Sequence, residues 1–333
     1  MNPQILSLEG VSQIYTSRGA NGWRRVDVRA VDGVDLDIRE GETLAIVGES
    51  GSGKSTLAKM LLMLNHPTMG QVTYRGSTLK TLGQEERSRY RRQVQAVFQD
   101  PASSLNPRMT VEETLGHVAN RHNIVAKAEV RSFLAAQLAA VGLDPPEHYL
   151  GRYPHQLSGG QQQRIAIARA IMLKPKIIIA DEPLSSLDVS VQSQILQLLS
   201  DLRRTTNVGF VIISHDLGAM QSIADRTAVM YKGRVVEIGE AIYRSPIHPY
   251  TRLLLDARLL PNPRGTRIRS PAPRSVAPAA SLATEGGCRF LQRCPHAIEV
   301  CAAVDPQLRP MGVGATHVAC HRAEELSAAP TPM

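Results

Sequence analysis

Apolar residues fall into two alternating rhythms along this chain. Short, almost wholly apolar runs occur at Thr43–Val47, Val94–Phe98, 176–180 and Gly209–Ser214. They predict strands buried on both faces. Helical spacing marks Thr56–Leu64, Ser132–Val141, 161–172 and Val189–Arg204, and strands alternating with helices predict a parallel α/β core. Leu6–Val11 and Val34–Ile38 alternate apolar with polar residues, so they predict strands with one exposed face. Gly70–Gly76 is a further short strand between turns, and 227–238 predicts a hairpin around Lys232-Gly233. Thr16–Arg29, rich in Gly, Arg and Asn, is expected to be a loop, and Thr110 to Gly151 a helical, Ala/Leu/Glu-rich insertion.

The composition changes near Pro261. A Pro-rich stretch predicts a linker or extended arm over 261–287, followed by a cysteine-bearing segment at 288–321. The last dozen residues, 322–333, are polar and Ala/Pro-rich and are expected to be disordered. The expected partition is therefore a main domain at 1–260, with helices inserted at about 105–165, then the arm, the cysteine segment and the tail.

Composition narrows the classes. Apolar residues make up 43%, enough for a full core, while aromatics at 4% speak against base-stacking platforms. The net charge of +8 comes largely from scattered Arg and decides nothing alone. No run approaches the roughly 18–20 apolar residues that span a bilayer. The N-terminus lacks a basic region followed by an apolar one, so a soluble, cytoplasmic protein is expected. In that compartment the four cysteines argue for metal before disulfide.

Gly48-Glu49-Ser50-Gly51-Ser52-Gly53-Lys54-Ser55 follows an apolar strand and opens a helix. That context makes it a phosphate cradle: glycines turn backbone N–H groups inward, and the helix start adds positive potential. Lys54 would reach the β- and γ-phosphates, and Ser55 would ligate magnesium. The run 176–182 is a strand ending in two carboxylates. Asp181 would hold the magnesium and Glu182 would polarise the attacking water. Leu157-Ser158-Gly159-Gly160-Gln161 begins a helix. By spacing alone it is either a capped start or a second anion site.

The order of phosphate loop, Gln99, Leu157–Gln161, 177–182 and His215 resembles the ATP-binding cassette ATPases over residues 5 to about 240. The resemblance implies a phosphate-loop NTPase core of mostly parallel sheet with an antiparallel β subdomain, an inserted helical subdomain and the small cysteine extension. It implies that Gly48, Ser50, Gly51, Ser52, Gly53, Lys54, Ser55 and Thr56 bind ATP, with Gln99 contacting magnesium and the water. Ser158, Gly159, Gly160 and Gln161 would bind the γ-phosphate held by an opposite subunit. His215 would contact the γ-phosphate and orient the base, and Asp188 would close the loop that communicates between subunits. Tyr15 is the best-placed adenine-stacking aromatic, with Trp23 as competitor.

Val97–Pro101, Ser104–Thr110, Arg152–Gln156 and Ile247-His-Pro-Tyr-Thr251 look like the ATPases of oligopeptide/dipeptide importers, F-type subunit. Nickel and glutathione importers share the pattern, and a soluble cassette acting on nucleic acid is a distant alternative. The expected partners are a second, distinct D-type ATPase packed head to tail, two permeases and an extracytoplasmic substrate-binding protein, with no nucleic acid. The expected location is the cytoplasmic face of the membrane. Cys288, Cys294, Cys301 and Cys320 suit zinc, with His296 and His317 as spare ligands, or an iron–sulfur cluster. The resemblance favours a 4Fe-4S cluster; free thiols are the third possibility.

Overall fold

The computed structural model describes residues 3–18, 25–257, 286–311 and 316–328. Among the described residues twelve strands form in chain order. They are β1 (Gln4–Arg18), β2 (Arg25–Arg39), β3 (Thr43–Val47), β4 (Met69–Tyr74), β5 (Ser77–Thr78) and β6 (Val94–Val97). There follow β7 (Ile177–Asp181), β8 (Gly209–Ser214), β9 (Arg226–Tyr231), β10 (Arg234–Gly239), β11 (Arg309–Pro310) and β12 (His317–Val318). The helices are α1 (Lys54–Leu61), α2 (Gln84–Gln93), α3 (Pro101–Ser104), α4 (Val111–Arg121), α5 (Val130–Ala140) and α6 (Glu147–Leu150). After them come α7 (Gly159–Ile171), α8 (Val189–Thr206), α9 (Leu217–Met220), α10 (Pro249–Asp256), α11 (Val300–Ala303) and α12 (Ala323–Ala328).

Two compact units divide the chain. The first takes residues up to Val11, Asp35–Ala45 and Ser55–Ser214; the second takes Ser12–Val34, Ile46–Lys54 and the chain from His215 onward.

In the first unit β6, β7 and β8 pair in parallel, with Ile177 beside Val94 and Gly209. Ile177, Ile178, Ile179 and Phe210 to Ile213 are fully buried. That explains the unbroken apolar runs of β7 and β8, neither face of which meets water. β6 instead leaves Gln95 and Ala96 part-buried and the following Phe98 exposed. The inserted helices start where the sequence supplies caps. Thr110 accepts the Glu113 N–H at 3.2 Å while Glu113 accepts the Thr110 N–H at 2.7 Å, which satisfies donors a helix start leaves open.

In the second unit β9 and β10 form the expected antiparallel hairpin, with Tyr231 opposite Arg234. Strand β12 then pairs with β10, placing Val318 opposite Glu237. Glu237 is fully buried, yet its carboxylate accepts the Ile247 and His248 N–H groups at 2.8 and 3.0 Å. His248 Nδ1 accepts the Tyr250 N–H at 3.0 Å and caps α10. The Ile247–Thr251 motif is thus a buried anchor for that helix.

Two expectations change. β1 and β2 are 15-residue strands reaching Arg18 and starting at Arg25, so much of Thr16–Arg29 is strand rather than loop. Its Gly and Arg content hid the extended backbone, because polar residues suit a strand's open face. The tail from Arg322 is not disordered where described: α12 buries Ala323 and Leu326 against Ile247 and Val318. Two apolar residues three apart suffice once a partner surface is present. Trp23, nearly all of the 261–287 arm and the last residues of the tail lie outside the described residues.

Candidate functional site

The phosphate loop up to Lys54 belongs to the second unit. Lys54 is buried, and its ammonium donates to the Gly48 and Glu49 carbonyls at 2.8 and 2.9 Å. The side chain therefore curls back over the loop it follows, which concentrates positive charge in its mouth. At Gly53, φ is +104° and a Cβ would meet the Ala30 carbonyl at 2.2 Å, so only glycine fits. The Gly233 N–H donates to the Ser52 carbonyl at 2.9 Å and fixes the loop's back.

Glu49 is gripped from outside the loop. Its N–H donates to the Tyr250 phenol oxygen at 2.9 Å. Its carboxylate receives both Arg293 Nη groups at 2.8 Å. The Arg293 guanidinium lies over the rings of Tyr231, Tyr250 and Phe290. The Arg293 hydrogen bond, foremost among the causes, holds the Glu49 carboxyl below its ordinary range. Sequence reading missed Glu49, Tyr250 and Arg293 as site residues. The phosphate-loop motif contains Glu49 and the Ile247–Thr251 motif contains Tyr250, but no motif signalled Arg293.

The first unit carries Ser55, the strand-end carboxylates and the glycine turn. Ser55 Oγ donates to Asp181 Oδ1 at 3.0 Å, and Gln99 Nε2 reaches Glu182 Oε2 at 3.4 Å. Four sequence-predicted residues thus form two adjacent pairs. Glu182 has φ +46°, the left-handed region that a non-glycine residue occupies only under constraint. Its own N–H, donated to the Ile213 carbonyl at 2.9 Å, supplies that constraint.

Ser158 and Gln161 cap one another at the start of α7, N–H to side chain in both directions, at 3.3 and 3.0 Å. Gln162 Nε2 braces the preceding turn through the Pro154 and Leu157 carbonyls. Gln192 does the same for the loop ending at Asp188, through Leu184 and Leu187. Asp188 accepts from Ser190 Oγ at 2.6 Å and Val191 N–H at 2.9 Å, which lowers its pKa. A Cβ on Gly160 would lie 2.7 Å from Val191 Cγ1. The glycine turn and the Asp188 loop therefore interlock within one unit. In the second unit Tyr15 is 40% exposed on β1, and His215 follows the end of β8.

These donors fit a magnesium nucleotide. Ser52 Oγ is buried in the loop with no hydrogen-bond partner among the described residues, and Ser55 with Asp181 offers paired hard oxygens. The cysteines fit a metal less well. All four are free thiols, and Cys301 and Cys320 lie close enough to Cys288 to raise its pKa further after burial has done most. Burial likewise pushes Cys294 up to about 12. Yet among the described residues no three His, Cys, Asp or Glu side chains are placed to hold a metal ion.

A glycine loop closed by Lys54, with an acidic strand end hydrogen-bonded to the residue that follows it, defines a phosphate-loop ATPase of α/β architecture. A family model described as "ABC transporter" matches residues 31–185, and one described as "Oligopeptide/dipeptide transporter, C-terminal region" matches 236–301. The chain is 46% identical to a putative oligopeptide transport ATP-binding protein, YkfD, of Bacillus subtilis, with 95% of each chain covered. It is 44% identical to the di/tripeptide transport ATP-binding protein DppF of Pseudomonas aeruginosa, over 90% of this chain and 91% of that protein. Among solved structures, an ATP-binding cassette dimer bound to ADP and phosphate matches with TM-score 0.62 at 31% identity. That match covers 71% of this chain and 98% of the cassette. The chain belongs to the ATP-binding cassette transporter ATPases, of the oligopeptide/dipeptide type.

Proposed function

We propose that this chain is the ATP-hydrolysing subunit that energises import of peptides through a membrane transporter. One observation carries the reading: Ser55 bonds to Asp181, while Gln99 reaches the neighbouring Glu182. These two contacts support reading Ser55 and Asp181 as the magnesium ligands and Glu182 as the general base. Bound magnesium would draw charge from the transferring phosphoryl group. Lys54 holds the β- and γ-phosphates, with Gly48 to Gly53 and Thr56 donating backbone N–H groups. Glu182 takes the proton of the attacking water and Gln99 orients that water. His215 contacts the γ-phosphate, and Tyr15 stacks on adenine, for which its exposure on β1 is suited.

Ser158, Gly159, Gly160 and Gln161 bind the nucleotide held by a second cassette, and Asp188 lies at the junction. ATP contacted by both subunits favours the closed dimer, and hydrolysis removes the shared ligand. Among the described residues no helix is long and apolar enough to cross a membrane. In this reading the chain acts as a peripheral subunit on transmembrane permeases, on their cytoplasmic face. The second cassette is a distinct D-type one, and an extracytoplasmic binding protein delivers cargo. The relatives named for oligopeptide and di/tripeptide transport support peptide as that cargo.

The family resemblance favours a 4Fe-4S cluster ahead of zinc on the four free cysteines, although among the described residues they form no group placed to hold a metal ion. Iron analysis and visible absorbance on anaerobically purified protein test this; stoichiometric zinc without iron overturns it. The functional test is reconstitution with the permeases in liposomes. ATP turnover should rise when a peptide-loaded binding protein is added. Stimulation by nickel or glutathione alone would reassign the cargo.

A further inference from the structure

Three groups of Glu49 are held by three different side chains. Tyr250 accepts its N–H at 2.9 Å, Lys54 donates to its carbonyl at 2.9 Å, and Arg293 forks its carboxylate at 2.8 Å twice. Lys54 belongs to the loop itself. Tyr250 and Arg293 come from 201 and 244 residues further along the chain. Arg293 lies in the short turn just before Cys294, in the cysteine module. A half-exposed ion pair alone contributes little. This one is bidentate, and its guanidinium is backed by three aromatic rings at 5.7, 6.0 and 5.7 Å. The fork is thus already oriented, and less side-chain freedom is lost in making it.

We propose that Arg293 is a positioning residue for the phosphate loop, through which the cysteine module sets how tightly this subunit grips nucleotide. Glu49 is the second residue of the loop, so its peptide planes help decide where the following N–H groups aim. Fixing its side chain and N–H restrains the loop's rim, and the carbonyl so held is one of the two that receive Lys54. Without Arg293 the rim gains rotational freedom that nucleotide binding must then remove. Among the described residues the module's other ion pairs do not end on the loop. Arg309, for example, forks Glu324 on α12, with Nη2 2.7 Å from Oε2.

The inference rests on the phosphate loop binding ATP, and the experiment separates the two. ATP binding to the full chain is measured calorimetrically with EDTA present, alongside melting temperature. Arg293→Ala should weaken ATP roughly 5- to 20-fold. Arg293→Lys, which keeps charge but loses the fork, should fall between it and wild type. Arg309→Ala, which breaks a comparable pair in the same module, should leave ATP affinity unchanged. Wild-type chain that binds no ATP overturns the nucleotide reading itself. Wild-type binding with Arg293→Ala unchanged overturns the positioning role. So does an equal loss in Arg309→Ala, since the effect would then follow the module's folding.

Discussion

Tyr250 accepts the Glu49 N–H on its phenol oxygen at 2.9 Å, which ties the start of α10 to the rim of the phosphate loop. Tyr250 is fully buried between Tyr231 and Phe290, so the phenol is locked in place. Tyr250→Phe keeps the ring and leaves that N–H without its acceptor. It should cost about 1–2 kcal/mol, read as a lower melting temperature together with weaker ATP binding. A variant with wild-type affinity would make the hydrogen bond incidental to the loop.

Glu182→Gln removes the proposed base and keeps the shape. ATP binding should survive while turnover falls by roughly 10²–10⁴. Stopped-flow or phosphate-release measurements at saturating ATP check this. Undiminished hydrolysis would exclude Glu182 as the base.

Gly53 and Gly51 separate packing from conformation. Both have positive φ, but a Cβ at Gly53 meets the Ala30 carbonyl at 2.2 Å, whereas one at Gly51 meets nothing within 4 Å. Gly53→Ala combines a backbone clash with strain and should lower thermal stability clearly. Gly51→Ala adds only the strain, of about 1 kcal/mol. Equal melting temperatures for the two would contradict the clash.

Burial, the main cause, pushes the Glu237 carboxyl from 4.5 up to about 7 and holds His248 from 6.5 down to about 3. Between those two Glu237 values the unfolded chain releases its proton before the folded one. Stability therefore falls as pH rises through that window, by roughly 3 kcal/mol in full. His248 acts in reverse, since below 6.5 the unfolded chain takes up a proton that the folded chain refuses. Glu237→Gln removes the first slope only. Its melting temperature should gain on wild type steadily from about pH 5 to about pH 8. A difference independent of pH would rule out Glu237 as the source.

The parts legible in sequence are those whose cause is local. Gly48 to Ser55, Ile177 to Glu182 and Leu157 to Gln161 each act through neighbours a few residues away, so strand, turn and helix cap could be read directly. The order of these motifs then carried the fold. Arg293 and Tyr250 were hidden because their partner is a loop residue more than 200 positions distant, and no periodicity encodes such a meeting. β1 and β2 were read only in part, as Leu6–Val11 and Val34–Ile38, because the Gly and Arg content of Thr16–Arg29 hid their far ends. α12 was missed because its packing surface, Ile247 and Val318, comes from elsewhere in the chain.

The reciprocal cap between Ser158 and Gln161, braced by Gln162, bears on the kinetics of assembly. That turn is ordered by its own side chains before any second subunit arrives. If, as proposed, it docks onto a nucleotide held opposite, little conformational entropy is lost and encounter needs no slow rearrangement of this surface. Closure would then be the meeting of two preformed faces, with the lifetime of the closed pair left to the γ-phosphate between them.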